Sequence, residues 1–166
     1  MKKLWELKEW VIPILLAVTI TILLRVFVFN VNVVQGTSMC TTLYSGDVLI
    51  CQKYDVNHIK RGDIISAWLD ERNEYIVKRV IGLPNETIHI DENGYIYVDG
   101  ILVDDEYQLP TVGIDVEYND ITLNEDEYYV IGDNRYGSYD SRFFGPIKHD
   151  TIRDVTVLRC FPLTLY

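Results

Sequence analysis

One stretch of the chain is apolar almost without interruption. Residues 11–29 carry a single charge, Arg25, and residues 11–24 carry none. Nineteen residues is close to the roughly 20 that cross a bilayer as a helix. Arg25 sits near the far end, where its long side chain can reach the headgroups. Residues 1–10 are polar and hold Trp5, Trp10, Lys2, Lys3 and Lys8. Basic flanks remain in the cytoplasm, so residues 30–166 are predicted to lie outside. A cleaved signal peptide needs small residues just after its apolar core. Here Arg25, Val26 and Phe27 follow, which favours an uncleaved anchor. A buried helix of a soluble protein is the other reading that residues 11–24 leave open.

From residue 27 the period shortens to two. Residues 27–34 alternate as a strand does, and Gln35-Gly36-Thr37-Ser38 reads as a turn. Ser38 lies nine residues past Phe29, a tether of roughly 30 Å when fully extended. Further strands are predicted at 48–51, 64–68, 74–81, 128–131 and 154–159, separated by turns at 44–47 and 60–63. Residues 87–91 and 95–98 alternate around Asn93-Gly94, a strong hairpin signal, and Asp99-Gly100 turns the chain into 101–103. Residues 104–127 are acidic and irregular and read as a surface excursion. Residues 132–142 form a dense polar loop.

These patterns predict a mainly β fold, barrel-like or sandwich-like, behind one N-terminal transmembrane helix. The chain divides into a cytoplasmic N-terminus (1–10), an anchor (11–29) and an extracytoplasmic β domain (30–166). Its 166 residues suffice for one core, and twelve tyrosines suit strands. The net charge is −10, and residues 1–29 contribute +2, so residues 30–166 carry −12. A domain this acidic is a poor partner for nucleic acid, which is bound by neutralising phosphates. Cys40, Cys51 and Cys160 have no spacing that suggests a disulfide framework or a zinc site.

Ser38 stands between small residues as a candidate nucleophile. Gly36-x-Ser38-x-Cys40 lacks the last glycine of a nucleophile elbow, and no βα unit surrounds it. His58, His89 and His149 read as surface residues. Lys78 lies inside the apolar pattern Tyr75-Ile76-Val77-Lys78-Arg79-Val80-Ile81. Lys78 and Arg79 must point to opposite faces of a strand, so one of them is expected to point inward. A solvent-facing lysine is the simpler reading. A buried lysine sheds its proton more easily and can act as base to a serine. The loop 132–142 does not place oxygens where a calcium loop needs them.

Together these stretches resemble the type I signal peptidases, in the short Gram-positive form, over nearly the whole chain. The family's serine box, Ser-Met-x-Pro-Thr-Leu, is similar to Ser38-Met39-Cys40-Thr41-Thr42-Leu43. Gly46-Asp47-Val48-Leu49 resembles its second box. Lys78-Arg79-Val80-Ile81-Gly82-Leu83-Pro84 repeats its lysine box, and residues 132–142 repeat its Gly-Asp-Asn-Arg-x-x-Ser-x-Asp-Ser-Arg box. The resemblance implies a signal-peptidase or repressor-protease-like β fold and a membrane-bound Ser-Lys endopeptidase that needs no metal or cofactor. Its partners would be membrane lipid and the signal peptides of exported preproteins, cut after small residues held in shallow apolar pockets. By the same resemblance Ser38 is the nucleophile and Lys78 the base. The Ser38 N–H and a donor near Gly36 form the oxyanion hole, and Ser138 orients the lysine. Arg79 with Asp133, and Asp140 with Arg142, are structural ion pairs. Thr41 stands where the family has proline, and Asn85-Glu86 replaces Gly-Asp. Thr41 leaves open a specialised peptidase for pilus or spore-associated substrates. A non-catalytic domain that binds preproteins is the rival of another class.

Overall fold

The computed structural model describes residues 2–53, 56, 58–103, 120–161 and 163–165. Helix α1 spans Lys2–Phe27 and therefore includes the polar flank as well as the apolar run. Every residue from Trp10 to Phe27 is exposed, and that window has a mean hydropathy of 2.3. The Thr19 and Thr21 hydroxyls donate to the carbonyls of Leu15 and Ala17, both at 2.8 Å, so they need no water. The helix hands over directly to β1 (Phe29–Val33). Lys53 fixes the junction, since its Nζ donates to the Val26 carbonyl at 3.0 Å and the Arg25 carbonyl at 3.3 Å. A cation at a helix C-terminus meets unpaired carbonyls and the negative end of the helix dipole.

The chain then forms β2 (Val48–Gln52), β3 (Ile64–Leu69), β4 (Glu74–Gly82), β5 (Thr87–Ile90), β6 (Ile96–Val98), β7 (Ile101–Leu102), β8 (Ile121–Thr122) and β9 (Glu127–Ile131). A short helix α2 (Ser141–Phe144) precedes β10 (Ile147–Lys148), β11 (Ile152–Phe161) and β12 (Leu163–Leu165). The main sheet runs β1-β2-β11-β3-β4-β9-β10, with β12 on β11, and every pairing is antiparallel. A smaller sheet runs β7-β6-β5-β8.

The expected β architecture is present, with differences at the edges of elements. The helix continues to Phe27, where a strand was expected to begin, because apolar β-branched residues suit either state until the chain leaves the helix. Ser141–Phe144 is helical inside and beyond the polar loop, with Asp140 as its N-cap. Part of the acidic excursion is regular, since Ile121–Thr122 pairs with β5. Residues 104–119 lie outside the described residues.

Strand alternation splits the β3–β4 region into two cores. Ile65, Ala67, Ile76 and Val80 face one core with Val130 and Val155. Ile64 faces the other, with Val34, Met39, Leu43, Leu49 and Cys51. The second core lies directly under residues 34–43, so the turn that carries Ser38 is seated on packed apolar side chains. A third core joins the small sheet to the ends of β4 and β9 through Ile81, Ile88, Ile96, Tyr129 and Ile131. Gly82 fits there because a Cβ would lie 2.6 Å from Ile88.

Candidate active site

The alternation of β4 decides which of two adjacent cations is buried. Ile76, Lys78 and Val80 are buried, whereas Val77 and Arg79 are half-buried. Lys78 is 4% exposed, and its Nζ donates to Ser38 Oγ at 2.9 Å and to the Val77 carbonyl at 3.1 Å. Burial lowers its pKa from the ordinary 10.5 to about 8. The charges of Asp140 and Glu74 oppose that shift, while Arg72 and Arg142 assist it. The reading of Lys78 as a solvent-facing residue is therefore not what the fold shows.

The loop 34–43 holds Ser38 by backbone bonds: Cys40 N–H to the Thr37 carbonyl at 3.0 Å and Leu43 N–H to the Met39 carbonyl at 2.8 Å. Met39 and Leu43 are the buried feet of this loop. Gly36 has φ +87 with open space around it, a conformation that suits glycine. Among the described residues, neither the Gly36 nor the Ser38 N–H is engaged in a hydrogen bond. Both residues line a cleft of about 1050 Å³ that also contains Lys78.

The polar loop 132–142 clamps this turn from the other side. Asn134 N–H donates to the Ser38 carbonyl at 3.0 Å, and Asn134 Nδ2 donates to the Thr37 carbonyl at 3.0 Å. At Gly132 a Cβ would lie 2.5 Å from the Ser38 carbonyl and closer still to the Ser138 hydroxyl, so only glycine lets the two loops meet. Arg79 reaches Asp133 through Nε at 2.8 Å and through its second nitrogen at 2.7 Å. The Thr42 hydroxyl donates to the same carboxylate. Asp140, fully buried, accepts from Arg142 at 2.7 and 2.8 Å and from the Gly132 N–H at 2.9 Å. Ser138 is buried beside Gly132, and its hydroxyl has no partner among the described residues. The bonds of Lys78 go to Ser38 and Val77, not to Ser138.

Sequence reasoning assigned no part to Asn134, Gly132 or Thr42. The signal for the first two was their place inside the matched box, and for Thr42 its place in the serine box. His89 pairs with Asp120, and His149 donates to the Val56 carbonyl. Neither these two nor His58 lines the cleft. The three cysteines are free.

A serine hydroxyl bonded to a buried lysine, with unengaged N–H groups alongside, defines the class of a serine hydrolase site. The profile of one family, described as "Signal peptidase, peptidase S26", matches residues 7–161. Signal peptidase I of Bacillus caldolyticus is 39% identical over 93% of this chain and 91% of its own length. Signal peptidase I of Bacillus licheniformis is 38% identical over 82% of this chain and 78% of its own. A solved signal peptidase I from Enterococcus faecalis V583 shares 30% identity, covers 58% of this chain and 95% of its own, and superposes with a TM-score of 0.48. The chain belongs to the signal peptidase family, peptidase S26. It is a serine endopeptidase, and its family membership supports signal-peptide cleavage. Its exposed apolar α1 is compatible with membrane anchoring.

Proposed function

We propose that the chain is a membrane-anchored endopeptidase that removes signal peptides from exported preproteins with Ser38 as nucleophile and Lys78 as general base. Residues 11–29 form the anchor, residues 1–10 lie in the cytoplasm, and residues 30–166 lie outside. The observation that carries this reading is the 2.9 Å bond between Lys78 Nζ and Ser38 Oγ on a lysine that is 4% exposed.

Neutral Lys78 takes the proton of the Ser38 hydroxyl as Oγ attacks the scissile carbonyl carbon. The oxyanion that forms is received by the N–H groups of Ser38 and Gly36. The tetrahedral centre collapses, and the Lys78 ammonium returns the proton to the leaving nitrogen, which becomes the new N-terminus of the mature chain. The signal peptide remains as an ester on Ser38. Water, deprotonated by Lys78, hydrolyses the ester, and the proton returns to Ser38 Oγ. Asn134 and Gly132 keep the Ser38 loop in register, and Ser138 lies buried against Gly132. Arg79–Asp133 and Asp140–Arg142 hold the supporting loop.

An anchored substrate helix beside residues 11–29 raises the effective concentration of its scissile bond. The exposed surface of α1 and the Lys53 clamp support this arrangement. The test is cleavage of a membrane-embedded preprotein by the full-length chain, with the cut read by mass spectrometry. Ser38→Ala and Lys78→Ala are each expected to lower the rate by about 10⁴-fold or more. Cleavage that survives Lys78→Ala would place the base elsewhere.

A further inference from the structure

The cleft beyond Ser38 and Lys78 has a polar floor that the mechanism does not use. Asp154 on β11 is 1% exposed and belongs to the cleft lining. It accepts from Asn30 Nδ2 at 2.9 Å, from Asn32 Nδ2 at 3.1 Å and from the Ser66 hydroxyl. An ionised carboxylate only accepts. It therefore forces both asparagine amides to turn their N–H groups inward. Each Oδ1 is then left as an acceptor on a half-buried side chain of the cleft wall. Among the described residues neither Oδ1 has a hydrogen-bond partner. The rim cations are held elsewhere: Lys53 on the end of α1, Arg72 over the Tyr139 ring, and Arg153 on the Tyr75 hydroxyl. The floor thus presents the two amide oxygens as acceptors, beside one N–H of Asn30 that Asp154 leaves unused.

Its distance from the nucleophile follows from the register. Val77, next to Lys78, pairs with Ser66, and Ser66 pairs with Asp154. Two strand spacings make roughly 10 Å, which an extended peptide covers in about three residues. β1 ends the sheet and lines the cleft through residues 30–33, so an extended peptide can lie along it.

Resting on the peptidase reading above, we propose that Asn30, Asn32 and Asp154 form a specificity subsite. It selects a hydrogen-bond-donating side chain (hydroxyl, amide or ammonium) two to four residues before the cleaved bond. An aliphatic side chain there leaves buried acceptors unpaired and is disfavoured.

The test uses full-length protein and a preprotein series in which each position from −2 to −5 carries Val or Thr, and Leu or Asn. Within each pair the shape is kept and only polarity changes. At one position the donor is expected to raise kcat/KM by about tenfold. Asp154→Asn lets the amides turn over and is expected to cut that ratio below about twofold. Asn32→Leu, at the strand edge, is expected to do the same, and it decides the matter if Asp154→Asn does not fold. Cleavage with no donor preference, or with a preference that both variants keep, overturns the inference and leaves the peptidase reading standing. Absence of Ser38-dependent cleavage across the whole series overturns that reading and this one together.

Discussion

Arg142 and Lys78 are both buried near the serine loop, and they are treated differently. Arg142 lies against Asp140, which meets it with two short bonds and accepts a third from Gly132. Among the described residues Lys78 bonds only to the Ser38 hydroxyl and the Val77 carbonyl, both neutral. A paired charge keeps its charge and its place. An unpaired one sheds its proton more readily, and burial brings Lys78 down to about 8. The first arrangement suits scaffolding and the second suits proton transfer. The fold therefore places its direct ion pair in the loop 132–142 and gives the lysine only the more distant charges of Asp140 and Glu74.

Breaking the paired side has the largest expected effect on stability. Asp140→Ala strands the Arg142 guanidinium and the Gly132 N–H in the interior. Removing one partner of a buried pair costs about 3–5 kcal/mol. Chemical denaturation is expected to show a loss of that order, with the Ser38 clamp loosened and cleavage reduced as well. A loss under about 1 kcal/mol would mean that solvent already reaches this pair.

The unpaired side is expected to respond in the opposite direction. A folded-state pKa of about 8 against 10.5 means that the unfolded chain binds more protons between those values, so stability rises with pH across that window. Below about pH 8 the burial of the ammonium is felt in full. Lys78→Met removes it and is expected to stabilise the protein at pH 7 by about 2–3 kcal/mol while abolishing cleavage. In the parent chain, cleavage is expected to rise with pH through about 8 as the neutral amine becomes the main form. A Lys78→Met variant less stable than its parent at pH 7 would show that Lys78 is well solvated and the comparison false.

The sequence exposed one half of this contrast better than the other. Alternation in β4 required Lys78 and Arg79 to part, but which one faced inward depended on the apolar company that β3, β9 and β11 give Ile76 and Val80. The Ser38–Lys78 approach joins residues 40 positions apart and follows from the curl of the sheet, which no local pattern contains. Asn93-Gly94 announced its hairpin because turn chemistry is local. Gly132 and Asn134 gave no local sign, since their reasons lie in a loop nearly a hundred residues earlier. Asp154 read as the start of an ordinary strand, because its partners Asn30 and Asn32 are brought to it only by the closure of β1, β2 and β11.

The smallest expected effect lies in the serine loop itself and asks whether the functional side carries backbone strain as well as a bare charge. Thr41 has φ 101, the positive region that β-branched residues avoid at a cost of about 1–3 kcal/mol. Proline locks φ near −65°, so the residue that the resembled serine box carries cannot be placed on this backbone. Thr41→Gly is expected to relieve the strain, less what glycine loses in chain entropy. The net is about 1 kcal/mol, or a rise in Tm of about 2–4 °C, with cleavage retained. Thr41→Pro is expected to lower both Tm and cleavage, although it brings the box closer to the family pattern. Thermal unfolding of the two variants beside the parent decides it. A Thr41→Pro chain as stable and active as the parent would show that the loop can adopt a second backbone path, and that Ser38 is held by the clamp of Asn134 rather than by its own turn.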